Sequence, residues 1–333
     1  MKYYDSISLK LFSIWWLCFF ALDAWPTQPW FKAVPAYIAR ITPPSYLEAW
    51  LCSTALLKYQ NRHKTLILLV AQNYTHSKYT NLKGCINDAI NLRYFLKKMG
   101  YPEKNIRLIT DEKQNITTEQ VIDEIEQIAN KTTRHWMDWN TVIIAFSGHG
   151  SSSKERKTSQ EKDKRDELLV CGDGCISDNK LHELLKLFDR KCNVFFSFDT
   201  CHSATMLDLQ YICRSEWNAD TAEFRLKRDK NSKYSYIAAN VVMISGCRDS
   251  QTSADALLQN PERRETRYFS RLNWSRQGAY TNTLLKLLKK SHANYKLLSL
   301  PLHLSESLHK RFKQRPVLSS SFYIPRYFQL FDW

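Results

Sequence analysis

Two apolar runs of strand length, each ending in small and reactive residues, constrain this chain more than any other feature. They are TVIIAFSGHG at Thr141–Gly150 and NVFFSFDTCHS at Asn193–Ser203. Continuous β-branched and aromatic runs of this length, bounded by turn residues, predict strands that are buried on both faces of a sheet. The first run delivers His149 and the second delivers Cys201. Because the functional crevice of an open α/β sheet lies outside the carboxyl ends of its strands, we expect the imidazole and the thiol to lie side by side.

An imidazole beside a thiol has a chemical use, since it favours the thiolate, the nucleophilic form of cysteine. His149 precedes Cys201 by roughly 50 residues, the separation found in caspase-type enzymes. Gly150 follows the histidine, and its N–H together with that of Cys201 could form an oxyanion hole. Alone, such a histidine is usually a structural residue whose hydrogen bonds are made within the protein, and such a cysteine is usually a buried structural thiol. Two such strand ends at this separation favour catalysis.

Five ordered motifs resemble the catalytic domain of metacaspases, which are caspase-like cysteine peptidases. SGHG at Ser147–Gly150 and DTCHS at Asp199–Ser203 resemble the motifs that carry the catalytic histidine and cysteine. The other three are GCIND at Gly84–Asp88, SGCRD followed by QTSAD within Ser245–Asp255, and PVLSSS at Pro316–Ser321. The motifs extend over most of the chain. The resemblance therefore implies a cysteine endopeptidase whose dyad is His149 and Cys201.

Alternating strand-like and helix-like segments predict an α/β fold. The expected strands are Thr65–Ala71, Ile106–Thr110, Thr141–Phe146, Asn193–Phe198 and Val241–Ser245. The expected helices are Asn87–Met99, a helix capped by Thr117, one from Ser177 or Asp178 to about Phe188, Gly278–Lys289 and Leu302–Phe312. This order predicts a mostly parallel central sheet covered on both faces, and the resemblance implies the caspase-like three-layer α/β/α sandwich. Two polar stretches, Ser151–Asp166 and Arg214–Ser235, are expected to be exposed loops, and the resemblance implies self-cleavage in the second.

The first 60 residues differ from the remainder of the chain. We divide the chain into an N-terminal hydrophobic and proline-containing extension, residues 1–60, and a peptidase domain, residues 61–333. Residues 9–24 are apolar, but only Leu11–Leu22 is free of charge, which is too short for a helix that spans a membrane. Three interpretations of this segment stay open: a signal or membrane anchor, an interfacial helix with membrane contact, and a segment packed on the catalytic domain.

Cysteine usage and charge bear on compartment and partners. Nine cysteines without regular spacing indicate free thiols in a reducing compartment, so we expect a cytoplasmic location, with secretion or membrane association left open by residues 9–24. We also expect a monomer. Cys171 and Cys175 have no second Cys or His pair at zinc-finger spacing, which argues against zinc there. The formal net charge of +15 would attract nucleic acid, but basic and acidic residues are mixed, so no nucleic-acid partner is expected.

Asp88, Ser147 and Asp199 match the metacaspase positions that line a pocket for a basic side chain. Asp199 lies two residues before Cys201, so both face the same side of an extended strand. A carboxylate near a cleft needs a cationic partner, which a substrate Arg or Lys would supply. We therefore expect protein or peptide substrates that are cleaved after Arg or Lys, and not after Asp. In the structural alternative, Asp88 caps its own helix and Asp199 pairs with a core arginine.

The resemblance also implies calcium, held by Asp166, Asp178, Asn179 and Asp208. Calcium prefers several hard oxygen ligands of this type. Asn179 stands where the family commonly has a second adjacent carboxylate, so the affinity for calcium should fall or the site should be lost.

Two rival interpretations remain. A catalytically inactive caspase-like scaffold that acts by protein binding is favoured by Asn179 and by Ala204, which stands where the family usually has glycine. A zinc site made by His149, Cys201 and His202 is disfavoured, because consecutive residues of a continuing strand point to opposite sides.

Overall fold

The structure is a computed structural model that describes only part of the chain. The described residues are 60–154, 165–201, 203, 205–218, 221, 223–231, 236–246, 255–259, 274–291, 295–312 and 314–329, and a few side chains in these ranges, that of Asp166 among them, lie outside the description. The chain divides into two compact units, Met1–His63 and Lys64–Trp333, and the fold given below is that of the second. The predicted apolar segment, residues 9–24, lies outside the described residues. Within the described ranges, no helix combines the length and the apolar character needed to cross a membrane.

Strands and helices alternate along the second unit. The strands are β1 (Thr65–Ala71), β2 (Ile106–Thr110), β3 (Thr141–Ser147), β4 (Gly150–Lys154), β5 (Arg165–Val170), β6 (Cys175–Ser177), β7 (Asn193–Asp199), β8 (Tyr211–Asn218), β9 (Glu223–Lys230), β10 (Asn240–Ser245), β11 (Asp255–Gln259), β12 (Trp274–Gly278) and β13 (Val317–Ser320). The helices are α1 (Cys85–Lys98), α2 (Thr118–Arg134), α3 (Asp178–Leu185), α4 (Ala279–Lys290) and α5 (Leu300–Phe312).

One sheet organises this unit, with its strands in the order β2-β1-β3-β7-β10-β13-β8-β9. The first five of these strands run parallel to one another. β13, β8 and β9 then extend the sheet with antiparallel pairings. Apolar side chains of α2 and α3 join the hydrophobic core on one face, and those of α1, α4 and α5 join the core on the other. The predicted α/β sandwich with a mostly parallel sheet is confirmed.

The predicted buried runs form the centre of this sheet. Every residue of β1 and β3 is buried, and so is every residue of β7 except the first, as expected for strands covered on both faces. The predicted cap of α2 is present, because the Thr117 side chain accepts the Gln120 N–H. Ser177 caps α3 in the same way, although this helix ends at Leu185 and does not reach Phe188.

The prediction of an exposed loop over Arg214–Ser235 is wrong. Most of this stretch forms β8 and β9, an antiparallel hairpin at the end of the sheet. Its charged residues pair across the two strands, with Arg214 2.6 Å from Asp229 and Lys227 3.6 Å from Glu216. Charged side chains suit an exposed edge strand, so the polarity of this stretch reflects its place in the sheet.

The prediction of an exposed loop over Ser151–Asp166 is also wrong at both ends of this stretch. β4 continues to Lys154 and β5 begins at Arg165, and the two strands pair antiparallel with Ser153 opposite Asp166. Residues 155–164 lie outside the described part of the chain. β4, β5 and β6 together make a small second sheet that starts directly after the end of β3. A polar strand of this kind has no apolar run by which sequence analysis could recognise it.

Candidate active site

The carboxyl ends of β3 and β7 lie side by side. The two strands pair in parallel, and their last residues, Ser147 and Asp199, are opposite each other. His149 and Cys201 each follow this matched pair by two residues. The Gly148 N–H donates to the Asp199 carbonyl at 3.3 Å, which continues the pairing beyond the strands. The expectation that the histidine and cysteine follow neighbouring strands is confirmed.

Gly150 touches the backbone of Cys201. A Cβ atom at position 150 would lie 1.9 Å from the Cys201 carbonyl oxygen and 3.2 Å from Cβ of Thr200. Only glycine allows two backbone segments to approach this closely. The two residues predicted to supply oxyanion-hole N–H groups are therefore in contact. Cys201 itself is half-buried, whereas Thr200 is buried.

The loop that follows β1, residues 72–84, holds the imidazole of His149. Its Nε2 atom lies 2.7 Å from the carbonyl oxygen of Thr80. A carbonyl oxygen can only accept, so Nε2 carries a proton, and in the neutral imidazole the lone pair is then on Nδ1. In this tautomer, Nδ1 is the ring atom that can take a proton from a thiol. Thr80 could not be predicted from the sequence, because a backbone carbonyl in a loop leaves no signal in residue type.

Asp88, Ser147 and Asp199, which sequence analysis assigned to one pocket, converge in the structure. Their side chains are almost completely buried, with 2%, 6% and 5% of each residue exposed. The Ser147 hydroxyl donates to Oδ2 of Asp88 at 2.9 Å. A Cβ atom at Gly278 would lie 1.9 Å from Oδ2 of Asp199 and 2.8 Å from Oδ2 of Asp88. Both carboxylates therefore approach the same glycine.

The N-terminus of α4 holds these two carboxylates. The Gly278 N–H lies 2.9 Å and 3.0 Å from the two oxygens of Asp88. Thr281 donates to Asp199 through its N–H at 3.1 Å and its hydroxyl at 2.7 Å. N–H groups in the first turn of a helix have no partner within the helix and carry partial positive charge, so they stabilise charged carboxylates. Neither Gly278 nor Thr281 was predicted from the sequence, where their only signal is a glycine and a threonine at the start of a predicted helix.

Two of the predicted calcium ligands, Asp178 and Asp166, lie where β5 meets α3. Asp178 is fully buried, and its carboxylate oxygens accept the N–H groups of Glu167 at 3.0 Å and Asn179 at 2.6 Å. Glu167 follows Asp166 in β5, so the strand backbone beside Asp166 lies against Asp178. Asn179 is exposed.

The fourth predicted ligand, Asp208, approaches the same helix one turn further on. Nδ1 of His182 lies 3.0 Å from the carbonyl oxygen of Leu207, the residue before Asp208. Asp208 has a φ of 45°, a left-handed conformation that aspartate tolerates better than most residues. Among the side chains that the structure describes, no three His, Cys, Asp or Glu groups form a metal-binding cluster. The side chain of Asp166 is not among them.

Some residues on which the sequence-based predictions depend lie outside the described part of the chain. These are His202, Ala204 and residues 247–254 of the SGCRD and QTSAD motifs. The zinc interpretation that includes His202 and the effect of Ala204 stay predictions.

Comparisons with known proteins bear on this fold and site. The family model of the caspase domain, peptidase family C14, matches residues 64–327. Metacaspase-1 of Yarrowia lipolytica is 27% identical over 303 residues, which cover 78% of this chain and 62% of that relative. Metacaspase-3 of Trypanosoma brucei brucei is 30% identical over 267 residues, which cover 76% of this chain and 70% of that relative. The chain thus spans less than two thirds of the Yarrowia protein.

A solved structure supports the fold independently of sequence. A crystal structure of a protein from Geobacter sulfurreducens superposes with a TM-score of 0.54 at 20% identity, covering 80% of this chain and 97% of that one. The caspase-domain match covers most of the chain, and the trypanosome relative is matched over more than two thirds of its length. The chain therefore belongs to the metacaspases, within the caspase-domain family of cysteine peptidases.

Proposed function

We propose that this chain is a cysteine endopeptidase that cleaves protein or peptide substrates after Arg or Lys. One observation carries the proposal: the parallel pairing that sets Ser147 opposite Asp199 and leaves His149 and Cys201 at matched positions beyond them. The buried carboxylates of Asp88 and Asp199 belong to the same end of the sheet.

In the proposed reaction, Nδ1 of His149 takes the proton from Sγ of Cys201, and the thiolate attacks the scissile carbonyl carbon. The N–H groups of Gly150 and Cys201 stabilise the tetrahedral oxyanion. The imidazolium then gives its proton to the leaving amine, which breaks the C–N bond and leaves a thioester on the cysteine. Finally His149 accepts a proton from water as the water oxygen attacks the thioester, and returns a proton to the departing thiolate.

The expected preference for Arg or Lys follows from the charge of the pocket. Asp88 and Asp199 concentrate negative charge beside Gly278, where N–H groups of the helix N-terminus donate to both carboxylates. A guanidinium or ammonium group would supply a full counter-charge, and hydrogen bonds between ionised groups are about twice as strong as neutral ones. An aspartate side chain would instead add a further buried negative charge, which is strongly unfavourable.

Hydrolysis of matched fluorogenic peptides tests this proposal. The peptides differ only in having Arg, Lys or Asp at P1, and wild type is compared with Cys201→Ala. We expect wild type to cleave the Arg and Lys peptides and Cys201→Ala to cleave none. Cleavage after Asp would overturn the pocket assignment, and activity that survives in Cys201→Ala would overturn the mechanism. A folded wild type that cleaves nothing, with or without calcium, would favour the inactive scaffold that acts by binding.

We also propose that calcium activates the enzyme through Asp166, Asp178, Asn179 and Asp208. The contacts that bring β5, α3 and the backbone next to Asp208 together support this proposal. Bound calcium would balance the charge of these carboxylates and fix the segment that follows Cys201.

The calcium proposal is tested by melting temperature and by hydrolysis of the Arg peptide. Calcium should raise both in wild type and in Asp123→Asn, whose substituted residue is exposed on α2. Both responses should be weak or absent in Asp178→Asn. An equal response in all three proteins would exclude this site, and no response in any would exclude calcium.

A further inference from the structure

One tyrosine in the loop after β1 stands out by its backbone conformation. Tyr74 is completely buried, with 0% of its surface exposed. Its φ of 61° is left-handed, which is unfavourable for a bulky residue and persists only where neighbouring contacts enforce it. Strain of this kind is concentrated at functional sites, and the contacts of Tyr74 lead directly to His149.

The hydroxyl of Tyr74 connects the histidine to the small sheet. It accepts the His149 N–H at 2.8 Å and donates to the carbonyl oxygen of Val170 at 2.8 Å. The Val170 N–H in turn donates to the carbonyl oxygen of His149 at 3.1 Å. Burial raises the pKa of the Tyr74 hydroxyl well above its usual range, although the hydrogen bond from His149 acts in the opposite direction. The hydroxyl therefore keeps its proton at neutral pH and can donate to Val170.

The ring of Tyr74 restrains the imidazole as well. The two ring centroids are 4.5 Å apart, and the planes are tilted by 35°. The Thr80 carbonyl, from the same loop, contacts Nε2 of the imidazole at 2.7 Å. One loop thus holds the backbone, the ring plane and the tautomer of His149.

Asp111, just after β2, anchors this loop. Its buried carboxylate accepts the Asn73 N–H at 2.8 Å and the Tyr74 N–H at 2.5 Å. The side-chain oxygen of Asn73 accepts the Cys85 N–H at 3.1 Å, which ties the loop to the start of α1. These hydrogen bonds hold Tyr74 in its left-handed backbone conformation.

From this geometry we infer that Tyr74 is a positioning residue, which orients His149 for proton transfer from Cys201. We also infer that Asp111 holds Tyr74 in the position that this role requires. The inference rests on the proposed peptidase function. Without the hydroxyl, the His149 N–H and the Val170 carbonyl each lose a hydrogen bond, and only the bond from the Val170 N–H to the His149 carbonyl still joins these two residues. Substrate binding should be spared, because the pocket of Asp88 and Asp199 is built from other elements.

The test compares Tyr74→Phe, which keeps the ring and removes the hydroxyl, with Tyr79→Phe. Tyr79 is a matched control from the same loop, since its ring packs edge-on against Tyr74 at 6.0 Å and its hydroxyl lies 4.0 Å from Sγ of Cys175. For the Arg peptide, we expect kcat to fall on the order of 10²-fold in Tyr74→Phe with KM unchanged. Tyr79→Phe should retain wild-type values.

A second readout does not depend on peptidase activity. The rate at which iodoacetamide alkylates Cys201 at pH 7, followed by mass spectrometry of the peptide that contains it, should fall in Tyr74→Phe and not in Tyr79→Phe. Wild-type kcat and alkylation in a folded Tyr74→Phe would overturn the inference. If wild type cleaves no peptide while its Cys201 alkylation still depends on Tyr74, the proposed function fails and the positioning role stands.

Asp111→Asn decides the matter if circular dichroism shows that Tyr74→Phe does not fold. This variant replaces one of the two acceptor oxygens by an NH₂ group and leaves the tyrosine in place. We expect lower kcat and slower Cys201 alkylation at unchanged KM, with a smaller change than in Tyr74→Phe. Wild-type values in folded Asp111→Asn, beside an unfolded Tyr74→Phe, would restrict Tyr74 to a structural role and overturn the inference.

Discussion

The candidate catalytic edge, which lies at the ends of β3 and β7, and the β8–β9 hairpin use the same charged residue types in opposite ways. At the edge, Asp88 and Asp199 are 2% and 5% exposed and accept hydrogen bonds from the start of α4. In the hairpin, Asp229 pairs with Arg214 at 2.6 Å, and their side chains are 31% and 36% exposed. At the edge, fixed N–H donors thus take the place of water around the carboxylates, whereas in the hairpin water can still solvate the charged side chains.

This difference has an energetic consequence. A buried carboxylate that loses its donors bears the full desolvation penalty, so its geometry is narrowly determined. An exposed ion pair can exchange its partner for water and contributes only about 0–1 kcal/mol. Substitutions of the same chemical kind should therefore be severe at the edge and mild in the hairpin.

The largest expected contrast is in thiol reactivity. Burial raises the pKa of Cys213, in β8, to about 11, and that of Cys171 and of Cys192 to about 12. Because pH 7 is far below these pKa values, the fraction of each group that is thiolate is on the order of 10⁻⁴ or less. Cys201 is half-buried at the end of the strand beside that of His149. Iodoacetamide at pH 7 should modify Cys201 at least about 10³ times faster than Cys213, as followed by peptide mapping. Similar rates would break the comparison.

The next contrast is between two carboxylates, one in each region. Asp88→Asn should lower kcat/KM for the Arg peptide, with a loss of about 2–5 kcal/mol of transition-state stabilisation. The reason is that the buried charge pair between Asp88 and the substrate Arg loses one partner. Asp229→Asn, the matched change in the hairpin, should leave kcat/KM nearly unchanged. A peptide with a neutral P1 residue separates the two roles of Asp88. Equal losses on the neutral and Arg peptides would mean that Asp88 only supports α4.

Close backbone approach at the edge provides a third test. In Gly150→Ala, the new Cβ would collide with the Cys201 carbonyl oxygen at 1.9 Å, so the nucleophile should shift and kcat should fall on the order of 10²-fold. Gly174→Ala is the control, because its Cβ would meet only Cγ2 of Thr118 at an ordinary 3.5 Å. Hydrolysis of the Arg peptide and thermal melting measure both variants. A Gly150→Ala enzyme of wild-type activity would show that the approach is not needed for catalysis.

The smallest effect is expected in the hairpin. Lys227 and Glu216 lie 3.6 Å apart with side chains that are 53% and 47% exposed. Glu216→Gln should change the free energy of unfolding in urea by about 0–1 kcal/mol and leave peptide hydrolysis unaffected. A loss above about 2 kcal/mol would mean that the hairpin, like the edge, depends on specific charge pairing.

Much of the sheet could be predicted from local pattern. Burial on both faces requires apolar side chains at every position of β1, β3 and β7, so each strand is a continuous apolar run. The hairpin was missed because β9 has charged residues along an exposed edge, and polar residues in such a strand look like a loop. The site residues His149, Cys201, Asp88, Ser147 and Asp199 were predicted from motifs whose residue types suit the proposed chemistry.

The contacts that orient those residues came only from packing in three dimensions. The Thr80 carbonyl on His149, the N-terminus of α4 on Asp199 and the meeting of Gly150 with Cys201 join segments that are distant in the chain. Each of these contacts uses backbone atoms, which are the same in every residue type and leave no mark in the sequence. Strand burial, in contrast, selects an apolar side chain at each position. The chain could thus be assigned its central strands and its reactive groups from sequence, while the geometry between those groups required the folded structure.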